Sequence, residues 1–543
     1  MSAVTATATH PRAGARRPPA WWPLAALTLL AAALRFATLG EQSFWYDEAF
    51  TPVHVLHSGL GATLHAVVHT ENTPPLWYMV AWLDVRVFGD GALALRFPSA
   101  LAGVATVPVA WAIAERLAGR SIEGRPAIGR RAAVIVAAIV AVNPLLVWYS
   151  QEARAYALFV LLAALAMLCF VRLLQAPTRG RLAAFAAAGA LALLTHYFAV
   201  FLLVPMVVWL LWDGRTRRAA LPALGAIAVV GLALLPLISA QGGHGTQWIG
   251  RWALSSRLEA IPRYYLTGYS GAPLGHGVEL LVALPIMIGS AFGAWRLYAS
   301  HDASHAPGSL PQLRRGASIA FTIAAFGALA PIVLVAFGVD YLAPRNLVAA
   351  MIPVSVLIAI LLIAVDAEPP RAPVAGLGVA LAAVITLAFL ALSIDVSLSP
   401  RLQRGNWRGL AHVIERGGGE VAGARSSGGE LAITTVELGA APLEYYMSHL
   451  RLHNLAPGER VRLSEIDETG YAPLRASAGR RPSQGFRLVE RREIDGLIVY
   501  RFVSSVPRFV SEAELRRHVI TLAHPEVLVP AGARVTIASA GVQ

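Results

Sequence analysis

Residues 134–171 read VIVAAIVAVNPLLVWYSQEARAYALFVLLAALAMLCFV. Two apolar runs flank a short polar turn, WYSQEARAY at 148–156, which holds one glutamate and one arginine. A run of about 20 mostly apolar residues is long enough to cross a bilayer as a helix. The stretch therefore predicts two membrane-spanning helices joined by a charged turn at one membrane surface.

The composition of the whole chain predicts the same class of protein. Of its 543 residues, 56% are hydrophobic and 14% are charged, and the mean hydropathy is +0.58. Soluble domains average about 45–50% apolar and about 25% charged residues. Disorder, a coiled coil and a disulfide scaffold are excluded. The single cysteine, Cys169, lies in an apolar run and can form neither an internal disulfide nor a multi-cysteine metal site.

The apolar runs predict about eleven spans, near 21–39, 92–114, 132–148, 154–174, 182–195, 197–212, 219–240, 277–298, 317–339, 347–365 and 373–394. The pair at 182–212 has two interpretations, two short spans joined at 195–197 or one long broken span. The fold class is thus an all-α polytopic membrane protein of about eleven transmembrane helices, with a C-terminal extracytoplasmic α/β domain.

Charge placement predicts the orientation. All 45 basic residues are arginines, the net charge is +13, and most arginines before residue 395 fall in loops on the side that holds the N-terminus. Because short cytoplasmic loops are enriched in basic residues, we expect a multi-pass protein of the plasma (inner) membrane with a cytoplasmic N-terminus. No continuous basic face appears, so nucleic acid is excluded as a partner.

We divide the chain into three parts. Residues 1–18 are a disordered cytoplasmic N-terminus, 19–395 are the transmembrane domain with a large first outer loop at 40–91, and 396–543 are the extracytoplasmic α/β domain. We expect the first apolar run to be a span, because it is long and no small-x-small cleavage site precedes residue 45; the alternative is a cleaved signal peptide, since Arg16 and Arg17 precede the run.

Acidic residues cluster in the first outer loop. Asp47 and Glu48 stand between aromatic residues just after the first span, which is typical of a general base or a metal ligand. The alternative is that Asp47 caps a loop helix starting at Glu48. Glu71 either reaches back toward Asp47 or is a solvated acid at a loop corner.

Three outer turns carry further candidates. Arg154 is placed to bind a lipid phosphate through two N–H groups of its planar guanidinium. The alternative is that Arg154 forms a surface cluster with Glu152 that fixes the membrane topology. His196 is a hydrogen-bond donor to a phosphate, a metal ligand or an interfacial histidine without a chemical role. Arg345 contacts either a substrate phosphate or lipid headgroups.

The chain contains no Walker loop, no dinucleotide fingerprint, no zincin motif and no nucleophile elbow. Nucleotide-driven transport and serine-hydrolase chemistry therefore lack support. The residues capable of chemistry all fall on the outer face, where nucleotides are absent, so a lipid-carried activated substrate is the natural energy source there.

Four segments, in this order and spacing, carry a resemblance to a known family: FWYDEA at 44–49, TPPLWY at 73–78, YSQEARAY at 149–156 and NWR at 406–408. The chain resembles the GT-C type membrane glycosyltransferases, in the bacterial branch related to the dolichyl-phosphate-mannose protein mannosyltransferases. The aminoarabinose transferase that modifies lipid A looks like a more distant relative. Thr73 stands where relatives often have a histidine.

The resemblance implies a hexosyl- or pentosyltransferase that moves a sugar from a polyprenyl-phosphate donor to an envelope glycan, lipid or protein at the outer membrane face. The family inverts configuration, with Asp47 at the position of its base, and Glu48 orients the acceptor or holds the loop. Some members bind a divalent metal ion through first-loop acids, so such an ion is the cofactor implied here, with unknown ligands. The other implied roles are donor phosphate binding by Arg154, Arg345, His196 and Tyr149, and substrate binding by Glu71, Glu152, Tyr197 and Tyr341.

Two other functions compete with transfer. A flippase or transporter of a lipid-linked sugar would show ionisable residues near mid-span and broken helices in repeated halves, and few such charges and no repeat are present. A non-enzymatic envelope assembly protein would work through its outer domain, with the loop acids merely solvated.

Overall fold

The computed structural model describes residues 21–119, 128–244, 246–269, 276–298, 310–366, 376–420, 431–471, 480–517 and 525–537. The N-terminal segment 1–18, which the sequence predicts to be disordered, lies outside these ranges. Every structural statement below concerns the described residues.

The part before residue 400 is helical. Its helices are α1 (Trp22–Phe36), α2 (Tyr46–Phe50), α3 (Leu60–Thr70), α4 (Leu76–Phe88), α5 (Ala92–Ala118), α6 (Ile128–Val142), α7 (Pro144–Ser150), α8 (Tyr156–Gln175), α9 (Arg179–Thr195), α10 (Ala199–Trp212), α11 (Arg217–Ala233), α12 (Leu235–Gln241), α13 (Gln247–Arg251), α14 (Leu254–Thr267), α15 (His276–Tyr298), α16 (Leu310–Ala336), α17 (Met351–Val365) and α18 (Leu377–Leu398). A π-helical turn at Thr51–Val55 follows α2, and 3-10 turns occupy Pro344–Ala350 and Pro400–Leu402.

Seven helical segments within the described ranges are long and apolar enough to cross a membrane, and an eighth is added if the bent pair α6–α7 counts as one span. The eleven predicted apolar segments each contain a helix, and α1 and α10 are among the shorter ones, at 15 and 14 residues. The chain is therefore a multi-pass membrane protein, and the count of eleven spans stays a prediction. In the 182–212 region, α9 ends at Thr195 and α10 begins at Ala199, so the backbone breaks at the predicted junction.

The 55° bend between α6 and α7 has a local cause. Pro144 starts α7 without a backbone N–H, and the Asn143 side chain accepts a hydrogen bond from the Leu146 N–H at 3.1 Å as the N-cap. Arg35 of α1 donates to the carbonyls of Val140 and Ala141 at the end of α6, at 3.1 and 2.8 Å. Carbonyls at a helix C-terminus carry partial negative charge, so they offset the cost of burying this cation.

The C-terminal part forms one mixed sheet. Its strands are β1 (Leu431–Thr435), β2 (Leu450–Leu452), β3 (Glu459–Tyr471), β4 (Arg487–Ile494), β5 (Leu497–Ser511), β6 (Glu526–Pro530) and β7 (Val535–Ile537). Their order is β2-β6-β1-β3-β5-β4, with β7 on β3, and the β1–β3 pair is the parallel one. Helices α19 (Trp407–Glu420), α20 (Ala440–Tyr446) and α21 (Glu512–Arg517) complete it. The predicted C-terminal sheet domain is confirmed.

The first outer loop lies between the helical part and this sheet domain. The Ser43 hydroxyl accepts a hydrogen bond from the Trp407 N–H at 3.0 Å and donates to the Gly405 carbonyl at 2.9 Å. The Phe44 N–H donates to the Tyr446 hydroxyl at 2.8 Å. Trp45 packs in the same apolar cluster as Trp407, which joins the loop to the core of the sheet domain.

Gly103 of α5 sets how closely α5 approaches α1 and α7. A Cβ atom at this position would lie 2.7 Å from Ser150 Cβ and 2.8 Å from Arg35 Nε, both buried. Small residues let membrane helices approach closely, and this contact fixes the end of α7 just before the charged turn.

Gly103→Ala should lower stability by about 1–3 kcal/mol, because the added methyl group overpacks a buried contact. The measurement is the thermal unfolding midpoint of the purified protein in detergent. Gly225→Ala in α11 is the matched control, since a Cβ there meets nothing within 4 Å. Equal midpoints for the two variants would show that the approach of α5 to α7 is not tight.

Candidate active site

Asp47 and Glu48 lie in the first turn of α2, which begins at Tyr46 with Trp45 in the N-cap position. The interpretation of Asp47 as a helix cap is therefore wrong. The two carboxylates have different partners: Asp47 contacts Arg345 of the 3-10 turn Pro344–Ala350, and Glu48 contacts Arg96 of α5.

Four carboxylates lie in this region, and each one is paired with an arginine from a different segment of the chain. The pairs, with their shortest N–O distances, are Asp47–Arg345 at 2.6 Å, Glu48–Arg96 at 2.6 Å, Glu71–Arg154 at 3.0 Å and Glu152–Arg404 at 3.0 Å. The structure thus brings the first loop, α5, the 151–155 turn, the 344–350 turn and the start of the sheet domain to one place.

The Glu48–Arg96 pair is a buried clamp. Arg96 grips both carboxylate oxygens of Glu48, at 2.7 and 2.6 Å, and also donates to the carbonyls of Leu39, Gln42 and Ser43. Burial acts to raise the pKa of Glu48, but the neighbouring arginines hold that pKa below its ordinary value. Glu48 also accepts from the Ala153 N–H at 2.9 Å. Of its two predicted roles, this geometry favours holding the loop.

Glu71 and Arg154 form a second clamp. The Arg154 guanidinium donates to both oxygens of Glu71, at 3.2 and 3.0 Å, and to the Asp47 backbone carbonyl at 3.4 Å. Glu71 therefore reaches toward Asp47 through Arg154, and its interpretation as a solvated corner acid is wrong because it is buried. The planar fork of Arg154, predicted to bind phosphate, is occupied by Glu71 here.

Glu152 is fully buried and does not pair with Arg154, so the predicted surface cluster of these two residues is wrong. Its partner is Arg404, which sequence reasoning missed. Burial raises the pKa of Glu152 to about 7, and the charges of Glu48 and Asp47 act in the same direction while Arg404 opposes them.

The Asp47–Arg345 pair is the most accessible of the four. Both side chains are 18% exposed, and the Trp248 ring covers the Arg345 guanidinium at 4.8 Å. Helix α14 holds the segment that carries Arg345: Arg257 donates to Asp340 at 2.6 and 2.8 Å, and the Tyr265 hydroxyl donates to the Leu347 carbonyl at 2.6 Å.

His196 lies behind these pairs in an aromatic setting. Its ring stacks on Phe159 at 4.7 Å, and its Nδ1 accepts a hydrogen bond from the Phe198 N–H at 3.2 Å. Burial, with Arg345 and Arg154 nearby, lowers the pKa of His196 to about 3, so the ring is neutral at physiological pH. A phosphate contact by His196 would therefore be a neutral hydrogen bond and not an ion pair.

The remaining predicted residues are Tyr149, which faces Glu152, and Tyr197 and Tyr341. Tyr149 is buried against Tyr156, with ring centroids 4.8 Å apart. The Tyr197 hydroxyl donates to Gln241 at 2.7 Å, and Tyr341 is exposed. In the described ranges, no hydrogen bond joins Tyr197 or Tyr341 to the four carboxylate–arginine pairs.

The carboxylates do not fit a metal ion in this arrangement. Over the described ranges, no group of three or more histidine, cysteine, aspartate or glutamate side chains is placed to hold one. Each of the four site carboxylates is instead held by an arginine, which supplies the positive charge that a metal would. No step of the chemistry below is therefore assigned to a metal.

The fold and the site together define a multi-pass membrane protein with a carboxylate–arginine cluster between its apolar helices and a C-terminal sheet domain. Residues 72–239 match the family described as dolichyl-phosphate-mannose-protein mannosyltransferase. This match confirms the resemblance predicted from the sequence, and it includes the 149–156 turn. No curated protein matches the chain.

Several solved structures are similar to the chain. ArnT from Cupriavidus metallidurans bound to undecaprenyl phosphate is 14% identical, with 89% of this chain and 98% of that chain covered and a TM-score of 0.49. The Archaeoglobus fulgidus oligosaccharyltransferase in complex with Zn and sulfate is 14% identical, with coverages of 78% and 61% and a TM-score of 0.46. The S. cerevisiae protein O-mannosyltransferase Pmt1–Pmt2 complex bound to the sugar donor is 18% identical, with coverages of 42% and 34% and a TM-score of 0.31. The roles assigned below rest on this chain's own residues.

Glu48→Gln should destabilise the protein by about 3–5 kcal/mol, because it leaves the buried Arg96 without a counter-charge. The thermal unfolding midpoint and the rate of proteolysis within residues 40–91 measure the effect. Glu41→Gln, an exposed acid in the same loop, is the control and should behave like the wild type. A wild-type midpoint for Glu48→Gln would refute the clamp.

Proposed function

We propose that the protein is a glycosyltransferase that moves a sugar from a polyprenyl-phosphate donor to an acceptor hydroxyl at the outer membrane surface. The observation that carries the proposal is the Asp47–Arg345 pair, a carboxylate of the first outer loop and a guanidinium of the 344–350 turn that lie 2.6 Å apart. Transfer from a phosphate-linked donor needs such a pair, a base for the acceptor and a cation for the leaving phosphate.

Exposure distinguishes this pair from the other three. The side chains of Glu48 and Arg96 are 0 and 1% exposed, and those of Glu152 and Arg404 are 0 and 2% exposed. Arg154 is 11% exposed, but its partner Glu71 is at 4%. Asp47 and Arg345 are thus the carboxylate and arginine that substrates reach most readily, and the other pairs support them.

The reaction follows from the chemistry of these two groups. Asp47 takes the proton from the acceptor hydroxyl as that oxygen bonds to the anomeric carbon of the donor sugar. The bond between the anomeric carbon and the phosphate oxygen breaks at the same time, and its electron pair leaves with the phosphate. One base is sufficient for this single displacement, which inverts the anomeric configuration and needs no covalent intermediate.

Arg345 binds the donor phosphate and stabilises the charge that develops on it. In the absence of donor, the same guanidinium is neutralised by Asp47. The phosphate therefore competes with Asp47 for Arg345, and its arrival frees the carboxylate to act as a base. Arg154, held by Glu71, adds positive charge beside the Asp47 backbone, and neutral His196 supports the aromatic wall behind it.

The topology supports the same assignment. The arginine distribution predicts that Asp47, Arg154 and Arg345 lie on the extracytoplasmic side, together with the sheet domain at 396–543. Nucleotide sugars are absent there, whereas a sugar linked to a membrane lipid carries its own activating phosphate. The acceptor is an envelope glycan, lipid or protein within reach of the sheet domain.

Asp47→Asn should abolish sugar transfer while leaving folding intact, because the amide cannot accept the acceptor proton. The assay uses purified protein, radiolabelled polyprenyl-phosphate sugars and crude envelope acceptors. Asp90→Asn, at an exposed acid of the same loop, is the control and should keep wild-type transfer. Undiminished transfer by Asp47→Asn would refute the assigned base, and no transfer by the wild type across the donor panel would favour a transporter or an assembly protein.

Arg345→Gln should reduce kcat/KM for the lipid donor by about 10- to 100-fold, the effect of losing a charge-assisted hydrogen bond of about 1.5–3 kcal/mol. The measurement is initial rate against donor concentration at saturating acceptor. Arg401→Gln changes an exposed arginine outside the site and should leave the rates unchanged. Equal donor kinetics for the two variants would show that Arg345 does not bind the donor phosphate.

A further inference from the structure

Arg404 stands where the last membrane helix passes into the sheet domain. It follows the 3-10 turn Pro400–Leu402 and precedes α19, and its side chain is 2% exposed. No motif in the sequence marks it, and the reaction proposed above does not use it.

The Arg404 guanidinium contacts both segments that frame the base. Toward the first loop, it donates to the Gln42 side chain at 3.1 Å, and its Nε lies 3.7 Å from Glu48. Toward the charged turn, it donates to Glu152 at 3.0 Å and lies over the Trp148 ring at 4.2 Å. A single side chain of the domain junction therefore bridges the loop that carries Asp47 and the turn that carries Arg154, in addition to the direct contact between Glu48 and the Ala153 N–H.

The sheet domain fixes Arg404 in this position. The next residues bind the first loop through the Gly405 carbonyl and the Trp407 N–H, both hydrogen-bonded to Ser43. Trp407 is fully buried in the apolar cluster of α19 and the sheet. Movement of the sheet domain would therefore pull Arg404 away from Glu152.

Glu152 needs this cation because of its surroundings. It is fully buried, and one of its two oxygens, Oε2, receives the hydrogen bond from Arg404. The charged and titratable groups that face it are Asp47 and Glu48 of the first loop, Arg96 of α5, Tyr149 of α7, Tyr156 of α8, Tyr269 after α14 and Arg404 of the junction. Without Arg404, Glu152 would be a buried carboxylate next to two others, which forces it to take up a proton or to move the turn.

We propose that Arg404 is a positioning residue through which the docked sheet domain completes the active site, by compensating the charge of Glu152 and holding the 151–155 turn against the first loop. This inference rests on the proposed function, since the readout is sugar transfer. It gives the C-terminal domain a part in the reaction itself, independent of any contact it makes with the acceptor.

The test is a double-mutant cycle of Arg404→Gln and Glu152→Gln, measured as kcat and donor KM for transfer. Each single variant leaves one buried charge uncompensated and should lower kcat by at least about 10-fold, with a smaller change in donor KM. The double variant places two neutral amides opposite each other and should recover most of the loss. Arg404→Lys, which keeps the charge, should retain more activity than Arg404→Gln, and Arg401→Gln is the matched control from the same junction.

The pH profile separates positioning from mere support of the fold. In the wild type, kcat/KM should fall below about pH 7 as Glu152 takes up a proton, the pKa being about 7. Loss of Arg404 raises that pKa further, so Arg404→Gln should move the acid limb upward by about one pH unit or more, and the double variant should lose this limb.

The outcomes are distinguishable from those of the proposed function. Wild-type transfer together with an unchanged rate and pH profile for Arg404→Gln would overturn the inference and leave the function standing. A loss for the double variant equal to the product of the two single losses would also overturn it, because the two charges would then act separately. Absence of transfer by the wild type would overturn the proposed function and this inference with it.

Discussion

The ion pair between Glu48 and Arg96 is the contact on which the rest of the site depends. Arg96 lies in a membrane helix. It donates five hydrogen bonds, two to the Glu48 carboxylate and three to the loop carbonyls of Leu39, Gln42 and Ser43. The loop has no regular structure there, so these bonds replace the backbone pairing that a helix or strand would supply. Asp47 is the neighbour of the clamped residue, and its position follows from the position of Glu48. The carboxylate that we propose as the base is thus held in place through its neighbour, Glu48.

Charge compensation explains why the site needs distant segments. A buried carboxylate is stable only beside a cation that is itself hydrogen-bonded, and four carboxylates within one region need four cations. The chain supplies them from α5, the 151–155 turn, the 344–350 turn and the domain junction. No single helical hairpin contains a complete pair, since the partners are separated by 48 to 298 positions. The full set of four pairs therefore forms only when the helical part and the domain junction that carries Arg404 are both in place.

Part of this arrangement could be predicted from the sequence, because a membrane constrains where apolar and basic residues can lie along the chain. Apolar runs and arginine asymmetry are strong signals, so the helical segments and the charged turn at 148–156 could be placed. Arginines predicted to lie on the outer side, such as Arg154 and Arg345, were exceptions to the expected bias. The pairing could not be predicted. Arg96 is an ordinary basic residue at the start of a span, and Arg404 lies in a linker without a motif. The spacing of Glu152 and Arg154 indicated a local cluster, whereas each residue is turned toward a different partner.

The four pairs also differ in what a charged substrate can do to them. An incoming phosphate can displace a carboxylate from an arginine only under two conditions. The phosphate must reach that arginine, and the negative charge of the freed carboxylate must be stabilised by solvent or neutralised by a proton. Glu48, Glu71 and Glu152 fail both conditions, because they are buried and an uncompensated charge there has no solvent to stabilise it. Asp47 meets both, since it is partly exposed and can take a proton from an acceptor hydroxyl. Among these satisfied ion pairs, Asp47–Arg345 is therefore the one that a lipid phosphate would open in the proposed reaction, which would provide a phosphate-binding arginine and a free base in the same step.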